Sequence, residues 1–347
     1  MVAPPYFDVP PKAYGGVEII VAELIDALVE RGHYVVLVGA GRNGTRAQEF
    51  IATRDEPCPS QLGEPLPEVL HAARVGQLLC DVGVDLVHDH TLAGPLLAAG
   101  RLVPTLVTAH GSVSGDAGHY YRALGKSISL VGISDAQRRS APDLPWLATV
   151  YNAVRVDTFP FRRDKGDFAL FLGRFHPDKA PHLAINAARA AGLPIVLAGK
   201  CSERIEHEYF ARMVAPRLGS DVTVFGLADA QAKRELLSRA RCLLFPICWE
   251  EPFGMVMIEG MACGTPVVAV RKGSVPEVIE HGRTGIVVDD AEQLPDAIEQ
   301  ARLVDPAECR RTAEERFDVP IMAGRYEAVY RQLVSDDAWY DPVSVAS

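Results

Sequence analysis

The chain has 347 residues, 48% hydrophobic and 23% charged, the proportions of an ordinary globular protein, which excludes a disordered tail or a fibrous repeat. At roughly 150 residues per domain, that length predicts two domains. The formal charge is −10, and residues 1–150 alone carry 11 basic against 16 acidic side chains; neither half is the basic surface that nucleic acid or an anionic membrane attracts.

The opening Met1 leads straight into Pro4, Pro5, Asp8 and Pro10 rather than into a basic and then apolar leader, so the expected compartment is the cytoplasm. The longest stretch free of Asp, Glu, Lys and Arg, Leu102 to Gly115, is 14 residues, short of the roughly 20 that cross hydrocarbon. Membrane association is not expected. Seven cysteines, an odd number with no C-x-x-C, predict no disulfide framework and read mostly as buried small hydrophobes.

Along the chain, β-branched runs bounded by Gly or Pro alternate with helical patterns, which predicts an α/β fold. The first helix follows the i, i+3, i+4, i+7 spacing through Val17, Ile20, Val21, Leu24 and Leu28 and stops at Gly32. Candidate strands in the first half are Tyr34 to Val38, Val84 to His88, Thr105 to Ala109, Ile128 to Ile133 and Leu147 to Tyr151. The stretch from Asn152 to Asp167 breaks the alternation with Pro160 and four basic residues and reads as a linker. A second series follows, with strands Phe168 to Leu172, Ile195 to Ala198, Val222 to Phe225, Cys242 to Phe245, Val267 to Val270 and Ile286 to Val288. Helices are expected around 180–191, 203–215, 229–239 and 254–263. After Asp290 the pattern is helical to Val334 and is divided by Pro306 and Pro320, with a loosely held tail over Ser335 to Ser347. The implied architecture is two doubly wound units in tandem, residues 1–152 and 167–320, joined by 153–166. The helix at 321–334 has no pattern of its own to assign it to either half, and packing back on the first is one option.

Gly39-Ala40-Gly41-Arg42-Asn43-Gly44 fits G-x-G-x-x-G after a strand. A dinucleotide site there requires a long helix next, whereas the helical stretch read at Thr45 to Ala52 is short and runs into Pro57 and Pro59. A plain Gly-rich turn is the competing reading, and an NAD-dependent oxidoreductase the rival function. Tyr14-Gly15-Gly16-Val17 stands before the first helix, where free N–H groups favour an anion, unless the Gly pair is simply a flexible turn.

His88-Asp89-His90 ends a strand. Alternation sends the two imidazoles to one side and Asp89 to the other, so the three do not make a ready metal site. Asp89 and His90, with Tyr120 further on, are candidates for lining an acceptor site, against a purely structural role. Gly173-Arg174-Phe175-His176-Pro177-Asp178-Lys179 follows a strand of the second series. A forked cation and a point-charge cation converging there suit a diphosphate; the bland alternative is a solvated basic turn.

The segment from Trp249 to Pro266 is the most specific in the chain. Pro252 and Gly254 mark a helix start, with Glu251 before it and Glu259 embedded among Met257, Ile258, Met261 and Ala262, where a charge needs a partner. Eight residues of helix rise about 12 Å, the scale separating hexose and ribose in a sugar nucleotide. N–H groups at Gly254, Met255 and Val256 would lie between, at a diphosphate. An isolated helix-start acid and an unrelated buried ion pair are the alternative.

These motifs together resemble the retaining glycosyltransferases of family 4, from about residue 12 to residue 330. They include Gly15-Gly16, Arg31-Gly32-His33, Thr108-Ala109-His110-Gly111, Ser134, Asn152, Gly173-Arg174 to Lys179, Glu251 to Glu259 and Gly273 to Val278. The resemblance implies two Rossmann-like doubly wound domains facing across a cleft, the GT-B fold. It also implies transfer of a sugar from a nucleotide donor, UDP- or GDP-linked, to a small-molecule or natural-product acceptor, with retention and without a metal or other cofactor. By the same resemblance, Arg174 and Lys179 stabilise the leaving diphosphate, Glu259 accepts from ribose, and Glu251 meets the sugar hydroxyls. His110 stands beside the reacting carbon, Gly15 and Gly16 near diphosphate and acceptor, and Gly226 at the nucleobase. The sequence departs from the family in a short opening strand at Met1 to Pro4, read either as a start lying upstream or as a weakened sheet edge, and in Asn152-Ala153-Val154-Arg155 and Lys272-Gly273-Ser274. Two further functions compete for the same motifs: a sugar-nucleotide binding protein without turnover, and an epimerase or phosphorylase of the same fold.

Overall fold

The computed structural model describes residues 1–12 and 15–335. Tyr14 of the glycine loop and residues 336–347 of the expected tail lie outside them. The chain forms two compact units: Met1–Asn152 together with the chain from Val319 on, and Ala153–Asp318.

The first unit contains strands β1 (Val36–Ala40), β2 (Glu49–Arg54), β3 (Val87–Asp89), β4 (Thr105–Ala109), β5 (Ser129–Gly132) and β6 (Trp146–Thr149). Its helices are α1 (Gly16–Glu30), α2 (Pro65–Leu78), α3 (Asp116–Leu124) and α4 (Asp135–Ser140). All pairings are parallel, and the sheet runs β2-β1, then β3-β4-β5-β6, with Val2 bridging Val38 of β1 and Asp89 of β3. The short opening strand is therefore not at an edge. It is an interior position of the sheet, between β1 and β3, reduced to one bridging residue whose N–H donates to His88 O at 2.9 Å.

The second unit contains β7 (Ala169–Leu172), β8 (Ile195–Ala198), β9 (Val222–Gly226), β10 (Cys242–Phe245), β11 (Val267–Val270) and β12 (Gly285–Val288). Their all-parallel order is β12-β11-β10-β7-β8-β9. Every residue of Cys242–Phe245 and Val267–Val270 is buried, as strands covered on both faces by helices must be, and the half-exposed β9 lies at the edge. The covering helices are α5 (Pro181–Ala190), α6 (Arg204–Tyr209), α7 (Ala230–Arg239), α8 (Met255–Ala262), α9 (Val275–Val278), α10 (Leu294–Gln300) and α11 (Pro306–Arg316). The expected linker packs on this unit: Lys165 Nζ donates to Ser238 O, Cys263 O and Thr265 Oγ1 at 2.9–3.0 Å.

The last helix, α12 (Val319–Ser335), belongs to the first unit. Buried Tyr326 bonds Thr108 Oγ1 at 2.9 Å, and Glu327 accepts from Arg31 Nε at 2.9 Å at the end of α1. One sequence expectation fails outright. Residues after Gly44 form no helix but the parallel strand β2, so the Gly39–Gly44 turn lacks the helix N-terminus on which a dinucleotide pyrophosphate would sit.

Candidate active site

In a doubly wound sheet, ligands bind outside the carboxyl ends of the two strands where the order reverses. In the second unit those strands are β7 and β10, and they lead into the two motifs most suggestive in sequence, Gly173–Lys179 and Trp249–Glu251. A backbone bond from Cys248 N to Asp178 O, 2.8 Å, ties the two loops together. Lys179 Nζ then donates to Glu251 Oε2, which also accepts from Trp249 Nε1 at 2.9 Å, and the ammonium lies 5.1 Å from the Trp249 ring centre. Both contacts use Oε2; no protein donor meets Oε1 among the described residues.

The Glu251 loop is held from behind by residues 272–274. Ser274 N donates to Glu251 O at 2.9 Å and Gly273 N to Glu250 Oε2 at 2.6 Å. At φ 51°, a Cβ on Gly273 would lie 2.2 Å from the Glu251 carbonyl, so only glycine fits. Gly254, in the left-handed conformation, begins α8 with no side-chain cap, leaving the first-turn N–H groups of Met255 and Val256 uncapped by any side chain. Glu259 on α8 is 8% exposed, and its Oε1 accepts from Lys233 Nζ of α7. This is the partner its apolar surroundings demand. The eight-residue separation of Glu251 from Glu259 is not a helical rise, because α8 starts at Met255 and only the last four steps are helical. Arg174 Nη1 lies 3.6 Å from both Glu203 and Glu206, contacts long enough to leave most of its donors unspent. Gly226 ends β9 with open space where a Cβ would stand.

The first unit repeats the geometry. Its order reverses between Val2 and β3, and beyond their carboxyl ends lies a cavity of about 290 Å3 lined by Gly15, Gly16, Glu18, His90, Thr108 and His110 among others. A larger cavity, about 660 Å3, lies at the opposite end of the sheet, beside Met1, Val36 and Leu86, where this fold class does not place its ligands. His90 and His88 share one side as alternation requires, with ring centres 4.0 Å apart. His90 Nδ1 is 2.9 Å from His110 Nε2, and His90 Nε2 is 3.0 Å from Met1 Sδ. A thioether only accepts, so this network assigns the His90 proton to Nε2, makes Nδ1 an acceptor, and has His110 donate its Nε2–H, leaving His110 Nδ1 with a lone pair. Burial pushes His110 down to about 4 and His88 and His90 well below the usual imidazole range, so all three are neutral at pH 7.

The other acceptor-side candidates fall elsewhere. Asp89 is fully buried, accepts from Thr91 N and Oγ1 and from Arg101, and does not line the cavity. Tyr120 donates to Leu92 O, while its neighbour Tyr121 lines the cavity. Among the described residues no group of three or more His, Cys, Asp or Glu is arranged to hold a metal ion, and no helix is long and apolar enough to cross a membrane.

Residues 157–316 match the family model Glycosyl transferases group 1, and residues 14–156 match Glycosyltransferase Family 4. The chain is a family 4 glycosyltransferase of the GT-B fold. It is 25% identical to the phosphatidyl-myo-inositol mannosyltransferase of Mycobacterium leprae (strain TN), over 100% of this chain and 99% of that one. It is 34% identical to the D-inositol 3-phosphate glycosyltransferase of Mycobacterium sp. (strain KMS), over 54% of this chain and 47% of that one. Among solved structures, AviGT4, a glycosyltransferase involved in Avilamycin A biosynthesis, superposes with a TM-score of 0.74 at 26% identity, covering 96% of this chain and 97% of that one. In this glycosyltransferase three site residues escaped sequence reasoning. Lys233 is an ordinary basic residue on a polar helix until α7 meets α8. Trp249 lay in the conspicuous segment, but no spacing rule gives its bond to Glu251. Glu18 carried a usable signal: it is the first-turn carboxylate of α1, and of that helix's four acids it alone is buried.

Proposed function

We propose that this glycosyltransferase moves a sugar from a UDP- or GDP-linked donor, held by the second unit, to a small-molecule or natural-product acceptor held by the first, with retention and without a metal. The observation that carries the reading is the arrangement at the β7/β10 switch point: Lys179 resting on Glu251 under Trp249, and Glu259 resting on Lys233. A cation resting on a carboxylate is available to a diphosphate, which offers it more negative charge. Glycosyl transfer builds negative charge on the departing phosphate, and Lys179 with Arg174 supplies fixed positive charge there, the service a divalent ion would otherwise give. Glu251 Oε1 and the second oxygen of Glu259 are left as acceptors for sugar and ribose hydroxyls. The avilamycin enzyme supports a natural-product acceptor by analogy, and neutral His110 suits a place beside a carbon that becomes positive.

The test is a thermal-shift panel of UDP, GDP, ADP and NAD, followed by turnover of the matching nucleotide sugar with the anomeric configuration of the product read by NMR, with and without EDTA. Stabilisation by UDP or GDP, and a retained configuration unaffected by EDTA, is the expected result. Stabilisation by NAD alone, or an inverted product, would overturn the proposal.

A further inference from the structure

We infer that the acceptor is a ring polyol bearing a protonated amine and no phosphate, and that Glu18 holds that amine. The inference rests on the reading above that the first unit binds the acceptor. It concerns the charge of the cavity beside His110. Apart from neutral histidines and tyrosines, the ionisable side chains lining it are Glu18 and Glu68; no Lys or Arg lines it among the described residues. Glu18 is 3% exposed and makes no ion pair among the described residues, and burial pushes its carboxyl up to about 7. Glu68, also on the lining, accepts at Oε2 from the N–H groups of Leu92 and Ala93, 3.3 and 3.4 Å away, and burial raises it too.

Three kinds of acceptor meet this wall differently. A phosphate would meet two carboxylates and no Lys or Arg, with only the uncapped first-turn N–H groups of α1 beside Gly16 to answer it. A neutral polyol would leave Glu18 buried and uncompensated above pH 7. An ammonium supplies the missing countercharge, so it restores the carboxylate to its charged form and gains a charge-assisted hydrogen bond. The hydroxyls of Thr91 and Thr108 on the same lining are already engaged, the first with Asp89 and Gly94 N and the second with His88 and Tyr326, so the amine's charged contact falls to Glu18. The inositol-phosphate and phosphatidylinositol acceptors in the names of the mycobacterial relatives carry the charge this cavity disfavours.

Cyclitols of matched size and opposite charge test it: 2-deoxystreptamine, myo-inositol and myo-inositol 1-phosphate, titrated at pH 8 by ligand-observed NMR against the full chain and against E18Q. Each titration is run without nucleotide and with UDP or GDP. The wild type is expected to bind the diamine about tenfold tighter than myo-inositol, the scale of one hydrogen bond between charged partners, and the phosphate weakest. In E18Q the diamine's advantage should collapse while nucleotide affinity stays unchanged. Phosphate binding as tight as the diamine, an E18Q that keeps the preference, or no binding by any of the three overturns the inference. Should E18Q not fold, the wild-type ranking alone decides. Failure of the nucleotide to bind counts separately, against the donor reading of the second unit.

Discussion

The two units share a strand order and a switch point, yet they treat charge in opposite ways. In the second, each functional side chain meets an opposite charge: Lys179 on Glu251, Lys233 on Glu259, Arg174 near Glu203 and Glu206. In the first, the functional groups are buried away from any countercharge: three neutral histidines, His90 hydrogen-bonded to His110 with the His88 ring packed beside it, and the raised carboxyls of Glu18 and Glu68 without a cation. The contrast teaches what each surface is built to receive. Paired cations accept a ligand that brings concentrated negative charge and gains more of it in the transition state. A wall of neutral imidazole and uncompensated carboxyl accepts one that brings little negative charge or a positive one.

The comparison breaks first at Lys179. Lys179→Ala should lower kcat/KM by about 10² to 10³, the scale of one electrostatic stabiliser in a closed site, and an unchanged kcat/KM removes its role. Gly273→Ala should cost about 2 kcal/mol or more of stability, because the new Cβ strikes the Glu251 carbonyl and must take a left-handed φ. A denaturant melt reads this, and a shift in midpoint below experimental error would show that the loop yields. Glu259→Gln should weaken donor-nucleotide binding about tenfold with the fold intact. Equal affinity in a calorimetric titration would detach Glu259 from the ribose.

The smallest effect sharpens the other side of the contrast. Folded Glu18 keeps its proton up to about pH 7, whereas the unfolded chain releases it near 4.5, so the folded state binds more protons in that window. Stability contributed by this group therefore falls as pH rises from 4.5 to 7 and is flat above. Glu18→Gln removes that loss: its advantage over the wild type should open between pH 4.5 and 7 and stay constant above. A pH-independent difference between the two proteins would show that Glu18 is not buried unpaired.

The same contrast explains what was legible in the sequence. The second unit's strands are short, wholly apolar runs such as Cys242–Phe245 and Val267–Val270, and a buried parallel sheet writes itself that way. Its key acids lie in one contiguous segment after β10. The first unit gathers its site from distant positions: Gly15 and Glu18, His90, His110, and Tyr326 beneath Thr108. No local pattern shows that His90 meets His110. Strand β2, Glu49–Arg54, is largely solvent-facing, so it lacks the apolar signature of its neighbours and its sequence read as a short helix. The sheet position between β1 and β3, a single bridge at Val2, is too short for any periodicity to reveal.

A crystal structure of the chain with UDP or GDP tests whether a nucleoside diphosphate sits at the carboxyl ends of β7 and β10. Diphosphate oxygens are expected within hydrogen-bonding distance of Lys179, and the ribose hydroxyls against Glu259. Lys179 still locked on Glu251, with the nucleotide lodged at the Gly39–Gly44 turn or anywhere else, would contradict it.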